Sequence, residues 1–186
     1  MRDDWERERF ERLMLPHMDA AYNLARWLTR NDDLAEDAVQ EAYLRALRFF
    51  GSLRGDDARP WLLRIVRNAC YELRQREQLP GPAEGFDENQ HGPEAVAAGA
   101  VIVLPVNPEA AAIARAESEL VRECLASMPR DLHEVLVLRD IEGCTYKEIA
   151  DILGAPIGTV MSRLSRARRL LQGIITARVR SRETGT

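Results

Sequence analysis

Residues 146–170, "YKEIADILGAPIGTVMSRLSRARRL", carry two apolar periodicities parted by Gly154, Ala155 and Pro156. Thr145 stands three residues before Glu148, the spacing of a capping box. Tyr146, Ile149, Ala150 and Leu153 then recur at i, i+3, i+4 and i+7 and define one apolar helix face. Gly154 suits the left-handed position after a helix end. Pro156 stops continuation, and Gly158 or Thr159 can open a second helix. The pattern predicts a helix, a tight turn and a second helix.

On a helical wheel starting at Thr159, Val160, Leu164, Ala167 and Leu171 gather at roughly 80–140°, the side to be buried. Met161, Ser162, Ser165, Arg166 and Arg169 gather at roughly 200–340°, and Arg163 lies at the boundary. Small hydroxyls and arginines on an outward face fit a DNA major groove. Arginine pairs bidentately with guanine, serine bonds to base or phosphate, and methionine can touch a thymine methyl. The bland alternative is a solvated amphipathic helix, against which the cap, the turn and the face stand together.

Upstream, residues 59–76, "RPWLLRIVRNACYELRQR", place Leu62, Ile65, Val66, Ala69 and Leu73 on one expected core stripe. Arg64, Arg67, Asn68, Tyr71, Arg74 and Gln75 share the other face, with Trp61 at its edge. Arginines can follow phosphates, rings can stack on unpaired bases, and an amide can read a base edge. The bland alternative is a basic surface helix with Trp61 partly in the core. The preceding loop, 51–58, is placed to help hold an extruded base.

Residues 32–50, "DDLAEDAVQEAYLRALRFF", put Ala35, Val39, Ala42, Ala46 and Phe49 on the expected core side. Asp37, Gln40, Glu41, Leu44 and Arg48 point the other way. A leucine among acids on an outward face fits a docking surface for a basic helical partner. It fits equally an ordinary solvated face with one exposed leucine.

The two helical stretches are separated by a linker composition. Prolines stand at 80, 82, 93, 105 and 108, and residues 80–114 hold five acids and no base. The basic charge lies elsewhere: residues 155–186 have seven arginines against one glutamate, and residues 59–78 have five against two. The overall charge of −4 therefore hides two anion-binding segments joined by an acidic connector. The expected organisation is all-α: a helical domain over 5–78, a flexible linker over 79–108, and a second helical domain over 109–178. The apolar segment 95–106 is too short for a membrane span and contains a proline.

The start, "MRDDWERERF", lacks the apolar core of a secretory signal, so an intracellular, cytoplasmic chain is expected. Cys70, Cys124 and Cys144 lack metal spacing and suit a reducing compartment as small buried residues. No nucleophile triad, carboxylate pair or phosphate loop is visible, so no catalytic residue, cofactor or metal is expected.

These residues together resemble the extracytoplasmic-function (group 4) sigma factors of bacterial RNA polymerase. "DLAEDAVQEAYLRA" is similar to region 2.2, "RPWLLRIVRNACYELRQR" to regions 2.3–2.4, and residues 128–171 to region 4. The resemblance implies that Asp37, Gln40 and Glu41 belong to the surface that grips the β′ clamp helices. It implies that Asn68 reads a −10 base beside a supporting Trp61. It implies that Ser162, Arg163, Ser165 and Arg166 lie on a helix that reads the −35 element, in a domain that also meets the β flap. An anti-sigma factor is an implied partner. Two departures bear on promoter sequence: Met161 stands where many members have a lysine or arginine, and Pro60 shortens or stiffens the loop before Trp61. The competing readings are a free-standing LuxR-type regulator, which requires a βαβ sensing half, and a protein-interaction module in the N-terminal half.

Overall fold

The computed structural model describes residues 2–78 and 120–184, and the chain divides into two compact units. No strand occurs among the described residues, so the all-α architecture expected from periodicity holds. The linker 79–108, its apolar segment 95–106 and the expected start of the second domain at 109 lie outside the described residues.

Four helices build the N-terminal unit: α1 (Arg2–Met14), α2 (Met18–Thr29), α3 (Asp32–Arg48) and α4 (Ala58–Gln78). Pro16 sits in the short turn between α1 and α2. α2 stops where Arg30 takes a left-handed conformation, φ 60°. Asn31 then turns extended, and its side chain accepts from the Leu34 N–H at 3.0 Å, which starts α3. Asp32 and Asp33 in the first turn suit the positive end of the helix dipole. Tyr43 on α3 donates to the Met14 carbonyl at 3.0 Å, and burial pushes its phenol up to about 12.

α3 presents Ala35, Ala38, Ala42 and Ala46 to the core. Such small side chains let helices approach closely, and α3 packs on both α2 and α4. Two expected core positions are corrected. Val39 is half-buried, and Phe49 is exposed, while Ala38 and Phe50 are buried. The helix ends at Arg48, so a wheel drawn through Phe49 runs past the helix; the next turn (Phe50–Ser52) sends Phe50 inward instead. Its ring meets Phe10 edge-on at 5.2 Å.

α4 packs against α1, α2 and α3. This explains a buried sector wider than a single stripe: Leu62, Leu63, Val66, Ala69 and Cys70 are inaccessible, whereas Ile65 and Leu73 are only half-buried. Pro60 lies inside the first turn of α4 and is buried, so it stiffens the helix start rather than the loop. A proline there forfeits no intrahelical hydrogen bond.

The C-terminal unit contains the helical residues 120–126 (α5), then α6 (Arg130–Leu136), α7 (Tyr146–Leu153) and α8 (Ile157–Thr184). α6 runs into one wider turn, Val137–Ile141, closed by the Glu142 N–H on the Val137 carbonyl at 2.9 Å. Val135, Leu136, Val137 and Leu138 are all buried along this stretch, together with Ile149, Ile152, Val160, Leu164 and Ala167. The capping box at Thr145 and Glu148 forms, with bonds of 2.6 and 3.2 Å. Gly154 adopts φ 62°, as its position after α7 requires. α8 starts at Ile157, one or two residues before the expected Gly158 or Thr159, because the Pro156 carbonyl accepts from the Thr159 and Val160 N–H groups. It ends at Thr184 rather than near Arg178.

Ion pairs moor α8 at several points, Arg163 with Asp131 among them. Arg168 makes a two-pronged contact with Asp140, at 2.7 and 3.3 Å, and Arg178 pairs with Glu123 of α5. Tyr146 lies half-buried under the Arg139 guanidinium at 5.0 Å. All three cysteines are buried free thiols, as expected. Among the described residues, no helix is long and apolar enough to cross a membrane, and no group of three or more histidine, cysteine or acidic residues could hold a metal.

Candidate nucleic-acid interface

The outward side of α4 is a line of polar and aromatic groups. Arg64, Asn68 and Gln75 are exposed, while Trp61, Arg67, Tyr71 and Arg74 are half-buried. Arg67 stacks over the Tyr71 ring at 4.8 Å and donates to the Asn68 Oδ1 at 3.4 Å. One guanidinium thus orients a ring and an amide together. Arg74 does not join them freely: it donates to the Leu28 carbonyl at 2.8 Å and closes the C-terminal end of α2.

The loop before α4 is pinned from beneath. Leu53 is buried, and Gly55 takes φ 78°. Arg9 of α1 donates to the Gly55 carbonyl and the Asp56 carboxylate, both at 3.3 Å. The same guanidinium lies over the Phe50 ring at 5.3 Å. His17 sits near this loop; burial, then Arg59, lower its pKa against the opposing pull of Asp57.

The outward side of α8 is different in texture. Met161, Ser162, Ser165, Arg166 and Arg169 are exposed, as the wheel places them. Ser162 donates to the Thr159 carbonyl at 3.0 Å and Arg169 to the Ser165 carbonyl at 3.4 Å. Thr159 is half-buried, and Arg163 is half-buried toward Asp131 at 3.6 Å, so neither stands fully on this face. Ile157, which sequence reasoning passed over as part of the turn, is 47% exposed one turn before Met161 at 52%.

On α3, Asp37, Gln40, Leu44 and Arg48 are exposed. Glu41 is not free on that face. It accepts from Arg45 at 2.8 Å, and Arg45 also donates to Glu72 of α4 at 2.6 Å. The Arg45 hydrogen bond holds Glu72 below the usual carboxylate range, and Glu72 with Glu41 raises Arg45 further. Glu41 therefore helps lock α3 to α4. Leu47, at 57% exposure, adjoins Leu44 on the outward side. At about 100° per residue from Leu34, Leu47 falls at roughly 220°, beside the outward sector of Leu44, so helix periodicity alone carries this signal.

Residues 13–79 match the family model for sigma-70 region 2, and residues 118–171 match that for sigma-70 region 4. The ECF RNA polymerase sigma-E factor of Escherichia coli K12 is 32% identical over 145 residues, covering 77% of this chain and 75% of the relative. The chain belongs to the ECF RNA polymerase sigma factors. The Haemophilus influenzae sigma-E factor is likewise 32% identical over 162 residues, covering 82% of this chain and 79% of that one. Among solved structures, the sigma factor RpoE of Bartonella quintana, in complex with the anti-sigma factor NepR, matches with TM-score 0.67 and 26% identity over 90% of this chain and 96% of that chain. CnrH, in complex with the cytosolic domain of CnrY, shares the fold, with TM-score 0.62 and 23% identity over 90% of this chain and 88% of that chain. In this sigma factor α3 and α4 thus fall in region 2, and α6 through the first half of α8 in region 4.

Proposed function

We propose that this sigma factor is a dissociable, non-catalytic initiation subunit of DNA-directed RNA polymerase, working in the cytoplasm and directing the core enzyme to promoters with two −35 and −10 readers. The observation that carries the reading is the α4 face. Trp61, Tyr71 and Asn68 stand in one line, with the Tyr71 ring held by Arg67 at 4.8 Å. Extruding a base from a duplex costs a few kcal/mol, and stacking on an aromatic side chain returns about 1–3 kcal/mol per base. Trp61 and Tyr71 offer the stacking surfaces, Asn68 the base-edge contact, and Arg64 and Arg67 the phosphate contacts of a melted −10 strand. Arg74 serves mainly by fixing α4 to α2.

Within the second unit, Met161, Ser162, Ser165, Arg166 and Arg169 enter the major groove of the −35 element, with Thr159 and Arg163 supporting the helix from its edge. Asp37, Gln40, Leu44 and Arg48 dock on the β′ clamp helices, with Glu41 shaping the surface, and region 4 meets the β flap. The working divisions are 5–78, 79–108 and 109–178. An anti-sigma factor is the proposed inhibitor, in keeping with the NepR complex of the Bartonella quintana sigma factor. Residues 2–78 are helices joined by short turns and hold no strand, so they are not the βαβ half that a LuxR-type receiver requires.

Transcription with purified core polymerase tests the division. Asn68→Ala should reduce open-complex formation about tenfold or more, by loss of a base contact worth roughly 1–3 kcal/mol, while core affinity stays unchanged. Asp37→Arg with Leu44→Arg, both at exposed positions, should abolish core binding. Equal loss of core affinity in the two variants contradicts the division.

A further inference from the structure

Six large apolar residues are exposed among the described part of the C-terminal unit: Val121, Ile141, Ile157, Met161, Leu170 and Val179. Exposed apolar side chains scattered singly need no explanation. Ile157 and Met161 are not scattered. They stand at i and i+4 in the first turns of α8, so their side chains are neighbours on the helix surface. Both are about half accessible, at 47% and 52%. Between them, Gly158 has open space where a Cβ would be, so nothing within the unit requires its bareness.

The first turns of a recognition helix are the part that contacts base edges. An isoleucine and a methionine there can neither donate to guanine or adenine nor accept from cytosine. In the major groove only thymine presents an apolar group, its 5-methyl. The polar half of the same face, Ser162, Ser165, Arg166 and Arg169, begins just beyond. The edge is therefore built in two chemistries, apolar first and cationic after.

Resting on the −35 reading above, we propose that Ile157 and Met161 form an apolar reading edge that selects thymine in the −35 duplex by its 5-methyl group, adjacent to the bases and phosphates met by Arg166 and Arg169. The neutral side chain at Met161 then substitutes one kind of readout for another instead of merely losing a contact.

The test uses the full chain bound to core polymerase and duplexes enriched from a randomised −35 segment. Each thymine of the enriched sequence is replaced in turn by deoxyuridine, which removes only the methyl. Binding is measured at low salt, where phosphate contacts retain even weakened variants. One or two positions should lose about threefold to fourfold in affinity, the amount expected for one buried methyl. Ile157→Ala with Met161→Ala should bind the thymine and deoxyuridine duplexes equally. Arg166→Ala should weaken both duplexes and leave their ratio intact. An enriched sequence without thymine, equal affinity of the native chain for both duplexes, or a ratio unchanged in the double variant overturns the proposal. If Arg166→Ala still weakens binding in those cases, the major-groove reading survives. If no sequence is enriched, or Arg166→Ala has no effect, that reading fails with it.

Discussion

The two faces proposed to meet DNA are built differently. On α4 the groups are braced: half-buried Tyr71 lies under Arg67, exposed Asn68 is bonded by the same arginine, and the adjoining loop is gripped by Arg9. On α8 the corresponding groups stand out from the helix, and the bracing acts on the helix itself, through Arg168 with Asp140 and Arg178 with Glu123. An unpaired base brings its own flexibility, so the protein must supply a fixed surface for it to stack on. A duplex is already ordered, so the protein needs reach and a firmly held rod. On α4 the bracing reaches the outward side chains as well as the helix, which Arg74 holds to α2, whereas on α8 the ties to other elements act on the helix.

That contrast can be broken by crossing substitutions. Tyr71→Leu keeps apolar bulk at a half-buried site but removes the stacking ring. It should cost about 1–3 kcal/mol in affinity for a single-stranded −10 oligonucleotide and leave −35 duplex affinity unchanged. Arg166→Ala should do the reverse, costing roughly 1–3 kcal/mol on the duplex if it pairs with guanine, or lowering the salt slope by about 1 if it meets a phosphate. Fluorescence titrations on both DNAs measure the four values. A variant that weakened both DNAs alike would erase the distinction.

The next effect is on helix placement. Thr145→Ala removes the N-cap side chain of α7, the hydroxyl oxygen that accepts from the Glu148 N–H. It should destabilise the C-terminal unit by about 1 kcal/mol in chemical denaturation, with the N-terminal unit unaffected.

The smallest effect concerns acid. The folded pKa of Glu72 is depressed, chiefly by its hydrogen bond from Arg45. Its contribution is therefore fully present above its ordinary value of 4.5 and is lost as the pH falls through the lower folded value. Nearly half of the Glu72 side chain is exposed, so solvent screening limits this to a few tenths of a kcal/mol. Denaturation of native chain and Glu72→Gln from pH 6 to pH 3 should show the two curves converging at the acid end.

Local signals in the sequence carried much of this structure. The Thr145–Glu148 box, Gly154 and the stripe Val160, Leu164 and Ala167 are each set within a turn or two of chain, and each forms as expected, while Leu171 at the end of that stripe is only half-buried. Phe49, expected in the core, is exposed and its neighbour Phe50 is buried because the wheel assumes a helix that the chain has already left. Glu41, Arg74 and Arg163 look like free surface charges in sequence. Arg45 stands four residues after Glu41 on the same helix, but the Glu72 that holds Arg45, the Leu28 carbonyl that holds Arg74 and the Asp131 beside Arg163 become visible only when helices are brought together. Ile157 was hidden by its position beside Pro156, where a turn residue was expected and a first helical turn was found.

One chain is proposed to read two promoter elements, one melted and one paired. Mapping transcript starts made by purified core polymerase with this chain on a random promoter library tests it most directly. Specific starts should be preceded by two shared sequence blocks at a fixed separation, with Asn68→Ala relaxing only the downstream block and Arg166→Ala only the upstream one. Starts sharing a single block, or no specific starts at all, would contradict it.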